Sequence, residues 1–120
     1  MMITLSILEK GAMVTNMLKY LSKIDKARST NKNYRINDRQ AFILDYICEK
    51  YLSHKVCHIQ EIILLKTAGS QATLHAVTKE LARLRLIKVS VDPTDNRMKN
   101  VLPTSLALQR LSALVGIFQK

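Results

Sequence analysis

The apolar residues of the chain change period along its length: helical spacing up to about residue 84, alternation after residue 86, and helical spacing again from residue 105. The most regular stretch is 70–84. There Leu74, Val77, Leu81 and Leu84 recur at intervals of three and four and form one face of a helix. Ser70, directly after Gly69, is a favoured N-cap for it. At about a hundred degrees per residue, the opposite face carries Ala72, His75, Ala76, Lys79 and Arg83, with Gln71 and Thr73 at the N-terminal end. Beyond it, Ile87, Val89 and Val91 alternate with Lys88 and Ser90, which is strand periodicity. Asp92-Pro93-Thr94-Asp95-Asn96 is dense in turn formers, and Val101 and Leu102 begin a return strand, so Arg97 and Lys99 are expected near a hairpin tip.

Upstream, residues 3–24 read as a helix with a stripe of Met13, Met17, Tyr20 or Leu21, and Ile24, joined by Val14 and Leu18 and weakened by Gly11. Residues 25–36, DKARSTNKNYRI, are polar, basic and rich in turn formers, which predicts an exposed loop. Asn37 with Gln40 three residues on is a capping-box pattern, starting a helix that runs to about Leu52. Phe42, Ile43, Leu44, Tyr46, Ile47, Tyr51 and Leu52 make this helix apolar nearly all round, a central beam. After a connection over 53–56, a helix is expected over 58–66 with Ile59, Ile62 and Ile63 inward, although neither Cys57 nor His58 is a favoured cap. Thr67-Ala68-Gly69 makes a tight turn into the 70–84 helix. The chain ends in a helix over 105–118, opened by Thr104-Ser105, whose Leu106, Leu111, Leu114, Val115, Ile117 and Phe118 are too apolar for a free tail. It is expected to pack on the N-terminal helix, within the chain or across a dimer.

Helix, turn, helix, strand, charged hairpin, strand is the plan of a winged helix. The fold class is therefore mainly α with a small β-wing. A winged helix-turn-helix core over 37–104 is flanked by an N-terminal helix and basic loop over 1–36 and a C-terminal helix over 105–120, both candidate dimerisation elements, with packing of the N-terminal helix on its own domain as the alternative. At 120 residues the chain holds one core.

Composition sharpens the functional reading. The net charge is +10, with 19 basic against 9 acidic residues. Seven basic and two acidic residues fall in 1–36 and six against three in 68–104, whereas 37–67 is balanced at four and four. Such an excess favours a polyanionic partner, because neutralised phosphates release counterions. The exposed face of the 70–84 helix suits a major groove: small residues permit approach, and Gln, Ser, Thr and Lys reach base edges or phosphates.

The stretch SQATLHAVTKELARLRLI, followed by DPTDNR and VLPT, resembles the MarR-type winged-helix transcriptional regulators. In that family a Ser-capped recognition helix leads to a wing with an Asp-x-Arg element and then into a C-terminal helix. The resemblance implies that Arg97 enters a minor groove with Asp95 orienting its guanidinium. It departs from the family at Arg85, where members usually carry Gly in a left-handed conformation that ends the helix, and at Leu102-Pro103-Thr104, where Pro interrupts the exit. The reading is a sequence-specific regulator that binds double-stranded DNA as a homodimer. Ser70, Gln71, Thr73 and His75 are placed nearest the bases, Lys79 and Arg83 on phosphates, and Arg97 with Lys99 on the wing. Small-molecule effectors are typical of the resembled family, but no residue identifies one. The competing reading is a winged helix used as an interaction or assembly module, for instance in plasmid or phage replication; it requires an apolar patch on the recognition face.

Other chemistry is not supported. Three glycines provide no phosphate-cradling loop, and the acidic residues are scattered, so neither an enzyme nor a cofactor is assigned. Cys48, His54, Cys57 and His58 lack a Cys-x-x-Cys pair, and no metal site is assigned. Cys57, near an expected helix N-terminus, is a candidate for a lowered pKa and oxidant sensing. Two cysteines without a disulfide framework fit a reducing cytoplasm. Residues 3–24 lack the basic n-region of a signal peptide, Glu9-Lys10 interrupt the apolar run, and no membrane span is expected.

Overall fold

The computed structural model describes residues 7–119, so the expected helical start at 3–6 lies outside the described residues. Five helices and a two-stranded antiparallel hairpin follow in order: α1 (Ile7–Asn33), α2 (Asp38–Leu52), α3 (Ile59–Ile63), α4 (Gln71–Arg83), β1 (Ile87–Val91), β2 (Lys99–Pro103) and α5 (Ser105–Gln119). This is a winged helix-turn-helix carried beside a long terminal helix, as the periodicity implied. Among the described residues no helix is long and apolar enough to cross a membrane.

The core lies where α2, α3, α4 and the base of the hairpin meet. Ile43, Leu44 and Ile47 of α2 pack with Ile62 of α3, Leu74 and Leu81 of α4, and Leu86 and Val101 of the hairpin. α2 is a beam on one broad face only: Phe42, Tyr51 and Leu52, expected to be buried, are exposed. The capping box at its start is formed, with Asn37 accepting from the Gln40 N–H and Gln40 accepting from the Asn37 N–H, both at 2.8 Å. The hairpin pairs Ile87 with Pro103 and Val89 with Val101, so β2 begins at Lys99, earlier than expected. A third edge joins it, because the Val101 N–H donates to the Cys57 carbonyl at 2.8 Å and His58 bridges to Asn100. α3 is shorter than the expected 58–66, stopping at Ile63 with Leu64 as its C-cap.

The largest departure is at residues 25–36, which are not a loop. Helix α1 continues through them to Asn33. Ile24, Ala27, Asn31 and Tyr34 lie on one side, partly buried, and α1 packs chiefly on α5. The tie is Arg110, buried on α5 at 1% exposure. Its Nε donates to Asn31 Oδ1 at 2.9 Å and its Nη1 to Asp45 Oδ1 at 2.7 Å, linking three helices. A guanidinium out of water must have its N–H groups satisfied, and here both partners come from other helices.

Three helices end alike. Arg35, His54 and Arg85 adopt φ of 64°, 57° and 61°, and each follows a helix whose closing bonds are those of a Schellman motif. After α4 the Leu86 N–H donates to the Leu81 carbonyl and the Arg85 N–H to the Ala82 carbonyl, both at 3.0 Å. The left-handed turn found at Gly in the resembled family is thus kept at Arg85, where an L-residue pays about 1–2 kcal/mol. The Arg85 carbonyl then accepts from Thr104 Oγ1 at 2.7 Å, joining the end of α4 to the start of α5.

Two stability predictions follow from these contacts. Because Asp45 is half exposed, Asp45→Ala should cost only about 2 kcal/mol in urea denaturation, below the usual penalty for orphaning a buried charge, and more than Arg110→Met, which removes the charge itself. The reverse order would mean that Arg110 acts mainly by filling space. Arg85→Gly should be neutral or stabilising by up to about 1 kcal/mol, while Arg85→Val, β-branched in a left-handed turn, should lose about 1–2 kcal/mol.

Candidate nucleic-acid interface

Helix α4 presents the face that its periodicity predicts. Leu74, Val77, Thr78 and Leu81 are buried, with Thr78 Oγ1 donating to the Leu74 carbonyl at 2.8 Å. Gln71, Ala72, His75, Ala76, Lys79 and Arg83 face solvent, and no large apolar side chain of α4 is exposed. At its N-terminus the Ser70 hydroxyl accepts from the Thr73 N–H at 3.2 Å and donates to Thr73 Oγ1 at 2.9 Å. Ser70 is therefore engaged in capping, and Thr73 is held by it. Gly69 precedes the cap at φ 154°, where a Cβ would lie 3.4 Å from Thr73 Cγ2. At the other end Arg83 is paired with Glu80, whose carboxylate it contacts through Nε and Nη2. Lys79 has no carboxylate within ion-pair distance among the described residues.

The wing loop over 92–98 is built by two carboxylates. Asp92 Oδ1 accepts from the Thr94 N–H at 2.8 Å, Thr94 Oγ1 at 2.6 Å and the Asp95 N–H at 3.2 Å. Asp95 Oδ1 in turn accepts from the Arg97 N–H at 3.0 Å and Arg97 Nε at 3.2 Å. The Asp-x-Arg pairing that the resemblance implies is thus present, and the Arg97 side chain still projects into solvent at 91% exposure. Lys99 sits one step away from the loop, opposite Val91 in the ladder.

Helix α4 and the wing share one groove of about 340 Å³, where His75 of α4 meets Arg97, Met98 and Lys99 of the wing over a floor of Ile59 and Ile63. His58 stands at its inner edge, its Nδ1 4.0 Å from Asp92 Oδ2. The structure therefore brings His75, Arg97 and Lys99 together, sets Ser70, Gln71 and Thr73 at the leading end of α4, and leaves Lys79 and Arg83 along its flank.

The cysteine expectation is overturned. Cys57 is 2% exposed, because its carbonyl is drawn into the β2 ladder and its side chain joins the core. Burial, reinforced by the nearby Glu61 carboxylate, pushes its thiol up to about 12 rather than down. Cys48 is likewise buried, at about 11. Among the described residues no three His, Cys, Asp or Glu side chains gather as a metal site. Glu61 instead caps α3, accepting from the His58 N–H at 2.8 Å and from Tyr46 Oη at 2.7 Å, with Lys50 Nζ at 3.1 Å. Desolvation opposes ionisation there, but these three partners outweigh it and hold the carboxyl below its usual range.

Two arginines had no signal in the sequence. Arg110 stands among the apolar residues of the 105–118 helix. Arg39, in the first turn of α2, donates from Nε to the Ala68 carbonyl at 2.9 Å, across 29 residues of chain. Neither contact leaves a local pattern.

These environments give two expectations. Both thiols should stay unreactive toward Ellman's reagent at pH 8 in the native protein and become titratable only on unfolding; rapid native labelling of Cys57 would contradict its burial. Glu61, Asp92 and Asp95 have lowered folded values, so their contribution is complete above the unfolded carboxylate range near pH 4 and is lost as pH falls through the folded values. The acid limb of the stability profile should accordingly flatten in Glu61→Gln, and an unchanged limb would show that Glu61 contributes nothing to it.

No family model matches the chain, and no curated protein matches it by sequence. Solved structures do. A complex of Staphylococcus aureus MepR, a MarR-family regulator, with DNA superposes at a TM-score of 0.66 and 22% identity, covering 90% of this chain and 81% of the other. A MepR point mutant bound to an oligodeoxyribonucleotide gives 0.71 at 21% identity, covering 90% and 75%. MepR bound to ethidium bromide gives 0.68 at 22% identity, covering 90% and 74%. The chain thus has the winged-helix fold of the MarR-family regulator MepR, along most of the length of both proteins.

Proposed function

We propose that this protein is a transcriptional regulator that binds duplex DNA as a homodimer, inserting α4 into the major groove and the wing into the adjacent minor groove. The observation that carries the reading is the shared face of α4 and wing. It is small and polar along the helix and ends in an outward guanidinium held by Asp95. The DNA-bound state of MepR, with the same fold, supports it. Gln71, Thr73 and His75 meet base edges, with Ser70 behind them as cap; Lys79 reaches phosphate, Arg97 the minor groove and Lys99 its rim. Arg83 serves as a weaker clamp, since Glu80 already takes two of its donors. The assembly-module alternative loses support, because an apolar recognition face is what it requires and α4 has none.

Dimerisation is proposed through α1. Met13, Val14, Met17, Leu18, Tyr20 and Leu21 are all exposed, up to 62% at Leu18, although they form the apolar stripe. A helix that turns such a stripe to water is covered in a stable protein, and a second copy supplies a matching stripe. The ethidium complex of MepR makes a small-molecule effector a reasonable expectation for the same fold here.

Selection of bound sites from a random duplex pool at near-physiological salt tests the reading. A palindrome with half-sites about one helical turn apart is expected, and a pool recovered without any motif would overturn sequence-specific regulation. Lys79→Ala should lower the slope of log Kd against log salt by about 0.9, and Arg97→Ala and Arg83→Ala, each of which leaves a carboxylate partner behind, by less.

A further inference from the structure

We propose that Arg39 is a phosphate contact, held beside the leading end of the recognition helix by its bond to the helix-turn-helix turn. The proposal rests on the DNA-binding reading given above and adds a residue to it from a helix outside the motif's recognition face.

The position is unusual for an arginine at the second residue of a helix. The Nε–H is bonded to the Ala68 carbonyl, and Nε lies 3.6 Å from where a Cβ on Gly69 would stand, a point that also touches Thr73. The guanidinium is therefore fixed against the turn that feeds α4, next to the residues proposed to meet bases. Arg39 is nevertheless exposed, and no carboxylate lies within ion-pair distance of it among the described residues. One of its five donors is satisfied, and among the described residues the Nη1–Nη2 edge has no partner.

Geometry decides what such a group can meet. A helix with its side chains is about 10–12 Å across, and the major groove is about 12 Å wide. A side chain carried by a neighbouring helix, flanking the N-terminus of the inserted one, therefore abuts the groove wall, which is phosphate. A planar guanidinium with two parallel N–H donors matches a phosphate, and the Ala68 bond removes part of the ordering cost that a free arginine pays. With Lys79 on phosphate along α4, the protein then grips the backbone at two points about the base-reading residues.

The test is the salt dependence of Kd on a duplex recovered by selection, for wild type, Arg39→Ala and Arg39→Lys, with a scrambled duplex in parallel. Arg39→Ala should lower the log–log slope by about 0.9 and weaken both duplexes by a similar factor, because a phosphate contact carries no sequence information. Arg39→Lys should keep the slope, since the charge stays, while losing part of the affinity with the Ala68 bond. A wild-type slope in Arg39→Ala, even with weakened binding, would overturn the proposal and reduce Arg39 to a brace for the turn. Should Arg39→Ala fail to fold, Arg39→Gln gives the same comparison without charge. Wild-type protein that binds no duplex at all would remove the DNA reading and this inference together, an outcome distinct from a normal slope in the variant.

Discussion

A buried guanidinium cannot be left without partners, and Arg110 finds its partners on two helices other than its own. Asn31 of α1 and Asp45 of α2 accept its N–H groups, so α5 holds α1 and α2 at once. The cost of desolvating the charge makes the arrangement specific, because a slip of α1 along α5 by one residue would orphan a donor in the interior. The consequence reaches the interface. α4 packs on α2, α1 is tied to α2 through Arg110, and the exposed stripe of α1 is therefore set at a fixed angle to the recognition helix. In the proposed dimer that angle determines how far apart the two recognition helices stand.

The same economy governs the ends of the elements. Three helices close through left-handed Arg35, His54 and Arg85 instead of glycine, and the two arginines place a cationic side chain beside a helix C-terminus, where the macrodipole favours it. Part of the backbone strain is offset in that way. The wing follows a related logic. Within its loop, Asp92 and Asp95 collect the backbone N–H groups of 94, 95 and 97. A wing shaped by its own carboxylates can stand clear of the domain and still hold Arg97 outward.

What could be read from the sequence is what is local. The period of α4, its Ser70 cap, the change to alternation at Ile87 and the turn chemistry of 92–96 are each contained in fewer than fifteen residues, and each corresponds to an observed element. The left-handed turn at Arg85 was accessible only through the family resemblance. The second half of α1 was hidden because its packing face is made of Ala27 and Asn31, which carry no hydrophobic signal, and because Ser, Thr and Asn there favour turns in isolation. Thr30 instead turns its hydroxyl back to the Lys26 carbonyl and stays helical under the pull of α5. Cys57 was misread for a similar reason. Proximity to a helix N-terminus lowers a thiol pKa only if the thiol is exposed, and the pairing with Val101, 44 residues away, buries it. Arg39 and Arg110 act across 29 residues or more, a distance at which periodicity carries no information.

The cations of the proposed interface also divide by how much each is already satisfied. Arg83 and Arg97 each give Nε and Nη2 to a carboxylate, Glu80 and Asp95 respectively, and Arg97 keeps its far edge in water. Among the described residues Lys79 and Arg39 have no carboxylate partner, and Arg39 alone among these four is steered by a neutral carbonyl. Pairing with a carboxylate lowers the net attraction to DNA, because the partner's negative charge travels with it into the phosphate field. Orientation by a carbonyl imposes no such loss. On this argument the strength of backbone binding rests most on Lys79 and Arg39, which flank α4 at its middle and at its leading end. Arg97 trades some of that attraction for a fixed direction, which is what a side chain needs to enter a narrow groove.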